Sequence, residues 1–136
     1  MNLIFGEDDR VAAWVGEHLG IIMAEPYTAI GGTADNETLS IGVVFNNWNG
    51  FNFDISLYGP GALTRGAISS VYDYAFRQAG AVRLTAYTRR SNENMQMLLP
   101  RFGFKPEGES ERYFGDEDAL RFCLLRETAE KWMKNG

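Results

Sequence analysis

A chain of 136 residues, 45% of them hydrophobic and 13% aromatic, is long enough for one folded domain and too apolar to be disordered. Its formal net charge of −5 argues against broad binding to nucleic-acid phosphates. The single cysteine, Cys123, excludes an internal disulfide. With no apolar run of membrane-spanning length and no secretory pattern at the N-terminus, the sequence predicts a cytoplasmic protein without a membrane partner.

The first half of the chain predicts one helix within a set of antiparallel strands. Acidic residues from Glu7 begin the helix, which Gly20 ends. Apolar and polar residues alternate in the later strands, and Asn49-Gly50 is typical of a hairpin turn. The expected strands are Asn2–Phe5, Tyr27–Gly32, Leu39–Phe45 and Phe51–Leu57.

The second half alternates strands with helices. Thr64 is a suitable N-cap for an amphipathic helix that runs to Ala79. Ser91 or Asn92 caps a second helix, which Pro100 is expected to distort. The other expected elements are a strand at Val82–Tyr87, a hairpin of Glu107–Phe114 with Ala119–Leu125, and a terminal helix at Glu127–Lys134. No linker divides the chain, so residues 1–136 are expected to form a single α/β (α+β) domain with a mixed sheet.

The junction from Leu57 to Ala67 carries the main functional signal. A strand ends there, the loop Gly59-Pro60-Gly61 follows, and a long helix begins. Unpaired amides and a partial positive charge at a helix N-terminus attract phosphate. Gly66 would let a ligand approach, and Arg65 adds a cation. A strand-to-helix turn without a ligand explains this local pattern equally well.

Several later segments narrow the choice. Their order and spacing resemble the GNAT N-acetyltransferase superfamily, in particular the branch that acetylates ribosomal-protein N-termini. The closing strand from Arg121 to Glu127 is similar to that of short GNAT-like proteins of tailed phages. The resemblance covers about Leu57 to Glu127, and its further segments are Asp73-Tyr74-Ala75-Phe76, Val82–Tyr87, Arg90–Asn94 and Phe102–Gly108.

The resemblance implies the GNAT fold, in which two central strands splay apart and acetyl-CoA lies between them. It implies that backbone groups of Leu57 and Tyr58 meet the pantetheine arm of coenzyme A, which Asn92 also contacts. The pyrophosphate would then lie against Thr64, Arg65, Gly66 and Ala67.

Two side-chain types are needed for amine acetylation, a base for the amine and an acid for the departing thiolate. Asp54 on the central strand is the candidate base if its face opens on the cleft; otherwise it is a solvated strand residue. The tyrosine that GNAT members use as the acid is replaced here by Leu99. Tyr58, Tyr87 and Tyr113 are the candidate replacements, or simply packed aromatic residues, and Tyr113 is the one assigned with Asp54 as catalytic.

The predicted function is direct transfer of an acetyl group from acetyl-CoA to a primary amine, which could be a protein N-terminus, a lysine or a small molecule. The alternative is a catalytically weak or inactive GNAT-fold phage protein in the host cytoplasm, acting as a CoA-binding or protein-interaction module. Leu99 favours this alternative. One histidine and one cysteine cannot build a usual zinc site, so no metal is expected. A homodimer is left open.

Overall fold

The computed structural model of this protein describes residues 2–59 and 64–133. Within them, seven strands form one sheet and four α-helices flank it. The strands are β1 (Asn2–Ile4), β2 (Tyr27–Thr33), β3 (Leu39–Asn46), β4 (Asn52–Tyr58), β5 (Arg83–Arg89), β6 (Lys105–Ser110) and β7 (Ala119–Leu125). The helices are α1 (Asp8–Leu19), α2 (Arg65–Tyr72), α3 (Glu93–Arg101) and α4 (Arg126–Ala129).

The strand order is β1-β2-β3-β4-β5-β7-β6. Every neighbouring pair is antiparallel except β4 and β5, which run parallel because α2 crosses between them. The prediction of a mixed, mostly antiparallel sheet with a meander in the first half is therefore confirmed. None of the described helices combines the length and the apolar character that crossing a membrane requires.

Alternation along the strands divides the core between the two faces of the sheet. Val11 and Val15 of α1 pack on one face against Val44. The other face carries the larger cluster, in which Phe45 and Leu84 pack beneath Phe76 of the segment that follows α2. Both clusters are buried from water, which stabilises the three-layer arrangement.

Two glycines let α1 approach the sheet closely. Gly31 of β2 and Gly42 of β3 are register partners. A Cβ atom on Gly42 would lie 2.5 Å from Cγ2 of Val15, and one on Gly31 would lie 3.0 Å from Cγ2 of Val11. The absence of side chains at this pair therefore fixes the height of α1 above the strands.

The structure corrects four predicted boundaries. The helix from Thr64 is α-helical only to Tyr72 and continues as a π-helical segment, Asp73–Gln78. α3 ends one residue after Pro100, through shorter-range bonds such as that from the Phe102 amide to the Leu99 carbonyl. The terminal helix gives way to a 3₁₀ turn at Glu130–Trp132, and its predicted end at Lys134 lies outside the described residues.

The fourth correction concerns the last hairpin. β6 ends at Ser110, so Tyr113 and Phe114 lie in the connecting loop and not in a strand. Arg112 has a φ of 55°, and its amide donates to Oδ1 of Asp118. The Phe114 amide donates to the Glu117 carbonyl. These bonds fold the loop on itself, and Tyr113 consequently lies against β5.

Candidate active site

The two central strands, β4 and β5, separate partway along their length. Their parallel pairing covers Asn52 to Ile55 with Arg83 to Ala86 and ends there. β4 continues to Tyr58 on its pairing with β3, and β5 continues to Arg89 on its pairing with β7. The backbone edges of Ser56–Tyr58 and Tyr87–Arg89 that face each other therefore have no strand partner, and a wedge opens between them.

A cavity of about 440 Å³ occupies this wedge and extends to both faces of the sheet. This volume lies in the range of small-molecule sites. Leu57 and Tyr58, predicted to meet pantetheine, line it, as does Leu99 at the position of the family tyrosine. Leu99 is buried there with 5% of its surface exposed, so the wall at that point is apolar and has no hydroxyl group.

One side chain in this wall indicates that the wedge suits a polar ligand. Thr88 lies in the separated part of β5 and is 5% exposed. Its Oγ1 atom is buried and has no hydrogen-bond partner among the residues that the structure describes. Such a hydroxyl destabilises the protein by about 1–3 kcal/mol. The amide groups of a pantetheine arm are hydrogen-bonding groups of the kind that would satisfy it.

The predicted pyrophosphate cradle is open at one position and engaged at others. Thr64 caps α2, and its Oγ1 accepts the Ala67 amide at 3.1 Å. Nη2 of Arg65 donates to the Lys131 carbonyl at 2.8 Å, so this guanidinium is directed at the C-terminal segment. Gly66 is exposed, and the nearest atom to a Cβ placed on it is Thr64 Oγ1 at 3.9 Å. The first turn is therefore accessible at Gly66, while the preceding loop, residues 60–63, lies outside the described residues.

Asn92 borders the same cavity from the start of α3. Its Oδ1 accepts the Met95 amide at 3.1 Å and so caps the helix. The Nδ2 group is the part of this side chain that could donate to a ligand. The contacts predicted for Thr64, Arg65, Gly66, Ala67 and Asn92 stay predictions.

Asp54 lines the cavity, which was the condition for its assignment as the candidate base. It is the last-but-one residue of β4 to pair with β5, opposite Thr85, at the point where the strands begin to separate. Asn47 Nδ2 donates to its Oδ2 at 3.0 Å, and Asn52 Nδ2 donates to its Oδ1 at 3.3 Å. Two neutral amides thus orient the carboxylate without neutralising it.

A hydrogen-bonded chain across the sheet holds this carboxylate in place. Oδ1 of Asn52 accepts from Nε of Arg83 at 3.3 Å and from Oγ1 of Thr85 at 2.7 Å. Arg83 in turn makes a two-point ion pair with Glu107, whose distances are 2.7 and 3.1 Å. Asn52 is therefore fixed from one side and presents its amide group to Asp54 from the other.

We expect Glu107→Gln to reveal, through the pH dependence of the free energy of unfolding, how much the Arg83–Glu107 ion pair stabilises the fold. Hydrogen bonding from Arg83 lowers the pKa of Glu107 from its usual 4.5 to about 2. The pair should therefore stabilise the fold above pH 4.5, and this contribution should disappear as the pH falls through 2. Because both side chains are about one-third exposed, the contribution should be about 1 kcal/mol or less.

The measurement is urea unfolding of the parent and of Glu107→Gln from pH 7 to pH 2. The difference in free energy of unfolding between the parent and Glu107→Gln should become smaller as the pH falls from 7 to 2. Glu109→Gln is the control, because Glu109 pairs with Arg90 where both side chains are more than half exposed. A difference that grows on acidification would contradict the prediction.

The three tyrosines proposed as replacement acids lie in different surroundings. Tyr58 packs between Trp14 and His18, with the His18 ring stacked on it at 4.4 Å. Tyr87 and Tyr113 stack face to face with ring centroids 4.4 Å apart and an interplanar angle of 6°. Burial raises the pKa of both, and the negative charge of Asp54 raises it further. Both rings line the cavity together with Asp54, and the raised pKa makes each hydroxyl a weaker acid than an ordinary tyrosine.

Arg89 ties together the wall on the α1 face of the cavity. Its Nη2 donates to the Leu19 carbonyl at the end of α1, at 3.0 Å. Its Nη1 lies 3.5 Å from Oε1 of Glu117, and its guanidinium lies over the ring of Phe114, 4.5 Å from the centroid. The end of α1, β5 and the β6–β7 loop are thereby held in one arrangement.

Several residues of the cavity wall were not predicted from the sequence. Ile21 to Ala24 form part of the cavity wall, although they belong to no helix or strand. Asn46 Nδ2 holds this segment by donating to the Ala24 carbonyl at 3.2 Å. The apolar residues that follow the end of the helix at Gly20 were the sequence signal that could have identified this segment. Thr88 gave no such signal, because its role depends on the strand separation.

No protein-family model matches this chain, and no curated protein sequence matches it. Solved structures do. A mutant form of the spermidine/spermine N-acetyltransferase SpeG from Vibrio cholerae superposes with a TM-score of 0.77 at 13% identity, over 96% of each chain. A putative phosphinothricin N-acetyltransferase gives 0.62 at 15% identity, covering 91% of this chain and 97% of that one. The Campylobacter jejuni N-acetyltransferase PseH gives 0.59 at 19% identity, covering 76% and 70%.

At these identities the similarity establishes the architecture and leaves the substrate undetermined. The seven-stranded mixed sheet and the flanking helices match the SpeG structure over 96% of this chain. The neighbours also fit the resemblance seen in the segments between Leu57 and Glu127. This chain therefore has the GNAT N-acetyltransferase fold.

Proposed function

We propose that this protein is an acetyl-CoA-dependent N-acetyltransferase that acts on a primary amine by direct transfer. The observation that carries the proposal is the wedge between β4 and β5, which leads past the unpartnered hydroxyl of Thr88 to the carboxylate of Asp54. Solved structures of N-acetyltransferases share the fold, which supports the reaction class. Acetyl-CoA, when bound, would supply an acetyl group activated as a thioester.

The chain's own groups divide the remaining work. Backbone amides on the unpaired edge of Ser56–Tyr58 could donate to the thioester carbonyl oxygen and polarise it. Asp54 would accept the proton that the attacking amine nitrogen loses. Tyr113 or its stacked partner Tyr87 would donate a proton to the departing sulfur.

The acceptor could be a small amine, a lysine or a protein N-terminus. The SpeG structures come from an enzyme whose name specifies spermidine, an amine that is a small molecule. The resemblance to the ribosomal branch favours a protein N-terminus, and that branch and a phage origin stay predictions. So does a cytoplasmic location, which would be the host cytoplasm for a phage-encoded chain.

A binding module is the second candidate, and Leu99 favours it. This residue gives the cavity an apolar wall where GNAT members have their tyrosine acid. A protein that kept the cofactor site without an efficient acid would bind coenzyme A and turn over slowly. Turnover with amines, and not cofactor binding, separates the two candidates.

Thermal unfolding with and without acetyl-CoA tests the proposal first. A ligand that binds only the folded state raises the midpoint by mass action. We expect a clear rise at millimolar acetyl-CoA, followed by release of free thiol when a primary amine is added. A rise without thiol release from any amine supports the binding module. No rise contradicts the acetyltransferase and leaves only a protein-interaction module that does not bind coenzyme A.

Gly66→Ala should weaken binding of acetyl-CoA about tenfold without destabilising the fold. Among the described residues a methyl group at this position meets Thr64 Oγ1 at 3.9 Å, and alanine favours the helix over glycine by up to about 1 kcal/mol. The same methyl group would stand where a pyrophosphate must approach the first turn. Calorimetric titration measures the affinity, and unfolding without cofactor is the control. An unchanged affinity would show that the anion does not lie at this helix end.

A further inference from the structure

The part of the cavity on the α1 face is called here the acceptor chamber. Its residues come from the end of α1, the segment that follows it, the separated strands and the β6–β7 loop. They are His18, Leu19, residues 21–24, Asp54, Tyr58, Tyr87, Arg89, Tyr113 and Phe114. Strand alternation places Asp54 and Tyr87 on this face, because Phe53 and Ala86 belong to the core on the opposite face.

The charge of the acceptor chamber is negative. Asp54 takes part in no ion pair among the described residues and is bonded by two neutral amides. Arg89, the cation of the wall, is already opposed by Glu117 and directed at the Leu19 carbonyl. An ammonium group therefore meets a carboxylate without an ion-pair partner among the described residues, whereas an anionic group meets no unpaired lysine or arginine in the described lining.

The walls of the acceptor chamber are aromatic and apolar. Tyr87 and Tyr113 stack in parallel, and the Phe114 ring stands perpendicular to Tyr113 with centroids 5.0 Å apart. Ile21 and Met23 line the opposite side. Aromatic faces attract both cations and flat apolar groups. The lining thus suits an amine whose remaining body is apolar or aromatic.

The size of the acceptor chamber limits how large the apolar or aromatic body of the amine can be. The whole cavity measures about 440 Å³, and the pantetheine arm would fill the part between the strands. Arg89 and Asn46 hold the wall in place by their bonds to the Leu19 and Ala24 carbonyls. What remains fits a single ring or a short chain more readily than a folded polypeptide terminus.

We propose that the acceptor is a small primary amine with an apolar or aromatic body and no carboxylate beside its amine. The inference rests on the N-acetyltransferase function proposed above and narrows it. A carboxylate on the carbon that bears the amine would be brought towards Asp54, and two like charges at short range repel each other. Amino acids are therefore excluded as acceptors by the same group that attracts the amine.

A comparison of tyramine with tyrosine tests whether Asp54 disfavours a carboxylate on the acceptor, because the two compounds differ only in that group. Calorimetric titration of the full chain saturated with coenzyme A should give tyramine at least tenfold tighter binding. Ethanolamine, which lacks the ring, should bind at least tenfold more weakly than tyramine. In Asp54→Asn the preference for tyramine over tyrosine should fall to about threefold or less, whereas Glu109→Gln should retain it. Thiol release should rank the three amines in the same order.

The outcomes separate this inference from the function on which it rests. If acetyl-CoA fails to raise the unfolding midpoint, the proposed function fails and the inference fails with it. If acetyl-CoA binds but tyramine and tyrosine bind equally, or if Asp54→Asn keeps the full preference, only the inference is overturned. Stronger binding of the dipeptide Tyr-Ala amide than of tyramine would overturn it in favour of a peptide terminus.

Discussion

Asp54→Asn is expected to lower turnover of a primary amine by about 10²–10⁴-fold, the usual contribution of a positioned general base. Asparagine keeps the shape of the side chain but cannot accept a proton. The donors Asn47 and Asn52 remain in place around it. Stopped-time assays of thiol release, with saturating acetyl-CoA, would measure the loss in kcat.

The affinity for acetyl-CoA should stay within about twofold in this variant, since the proposed cofactor contacts lie farther along the wedge. Glu109→Gln is the control. Its carboxylate is paired with Arg90, and neither of these side chains lines the cavity, so turnover should fall by less than about threefold. Retention of most of the activity by Asp54→Asn would remove this residue from the mechanism.

Gly42→Val should reduce the free energy of unfolding by about 3 kcal/mol, through overpacking against α1. The new Cβ would lie 2.5 Å from Val15 Cγ2 and 3.1 Å from Val11 Cγ1, and both valines are fully buried. Valine favours strands over glycine by up to about 1 kcal/mol, which is too little to offset that overlap. Urea unfolding at neutral pH would measure the change.

The same substitution should also weaken binding of the acceptor. Displacing α1 from the sheet would pull the Leu19 carbonyl away from Arg89 and open the acceptor chamber. We therefore expect a higher KM for the amine in whatever fraction of Gly42→Val stays folded, with little change in the KM for acetyl-CoA. Gly66→Ala is the control for stability, because its methyl group enters open space. A Gly42→Val protein as stable as the parent would contradict the packing argument.

Local patterns predicted most of the elements. Strand alternation and the helical spacing after Thr64 gave seven strands and the main helices close to their observed bounds, because burial of one face imposes a period on the sequence. The largest error concerned the last hairpin, where a hydrogen bond from a backbone amide to a side chain determines the loop conformation. β6 ends early because Asp118 draws the Arg112 amide into a folded loop. No periodicity in Glu107–Phe114 indicates that bond.

The amino-acid sequence by itself determined the sheet's composition, the position of the α2 N-terminus and the presence of a carboxylate at Asp54 on the central strand, since these follow from spacing and residue type. Only the tertiary structure decided that the strand separation implied by the family resemblance begins after Ile55, that Tyr113 stacks on Tyr87, and that Arg89 ties β5 to the end of α1. Each of these results from pairing between residues far apart in the chain. Such pairing depends on which surfaces the completed core brings together, and no local spacing encodes it.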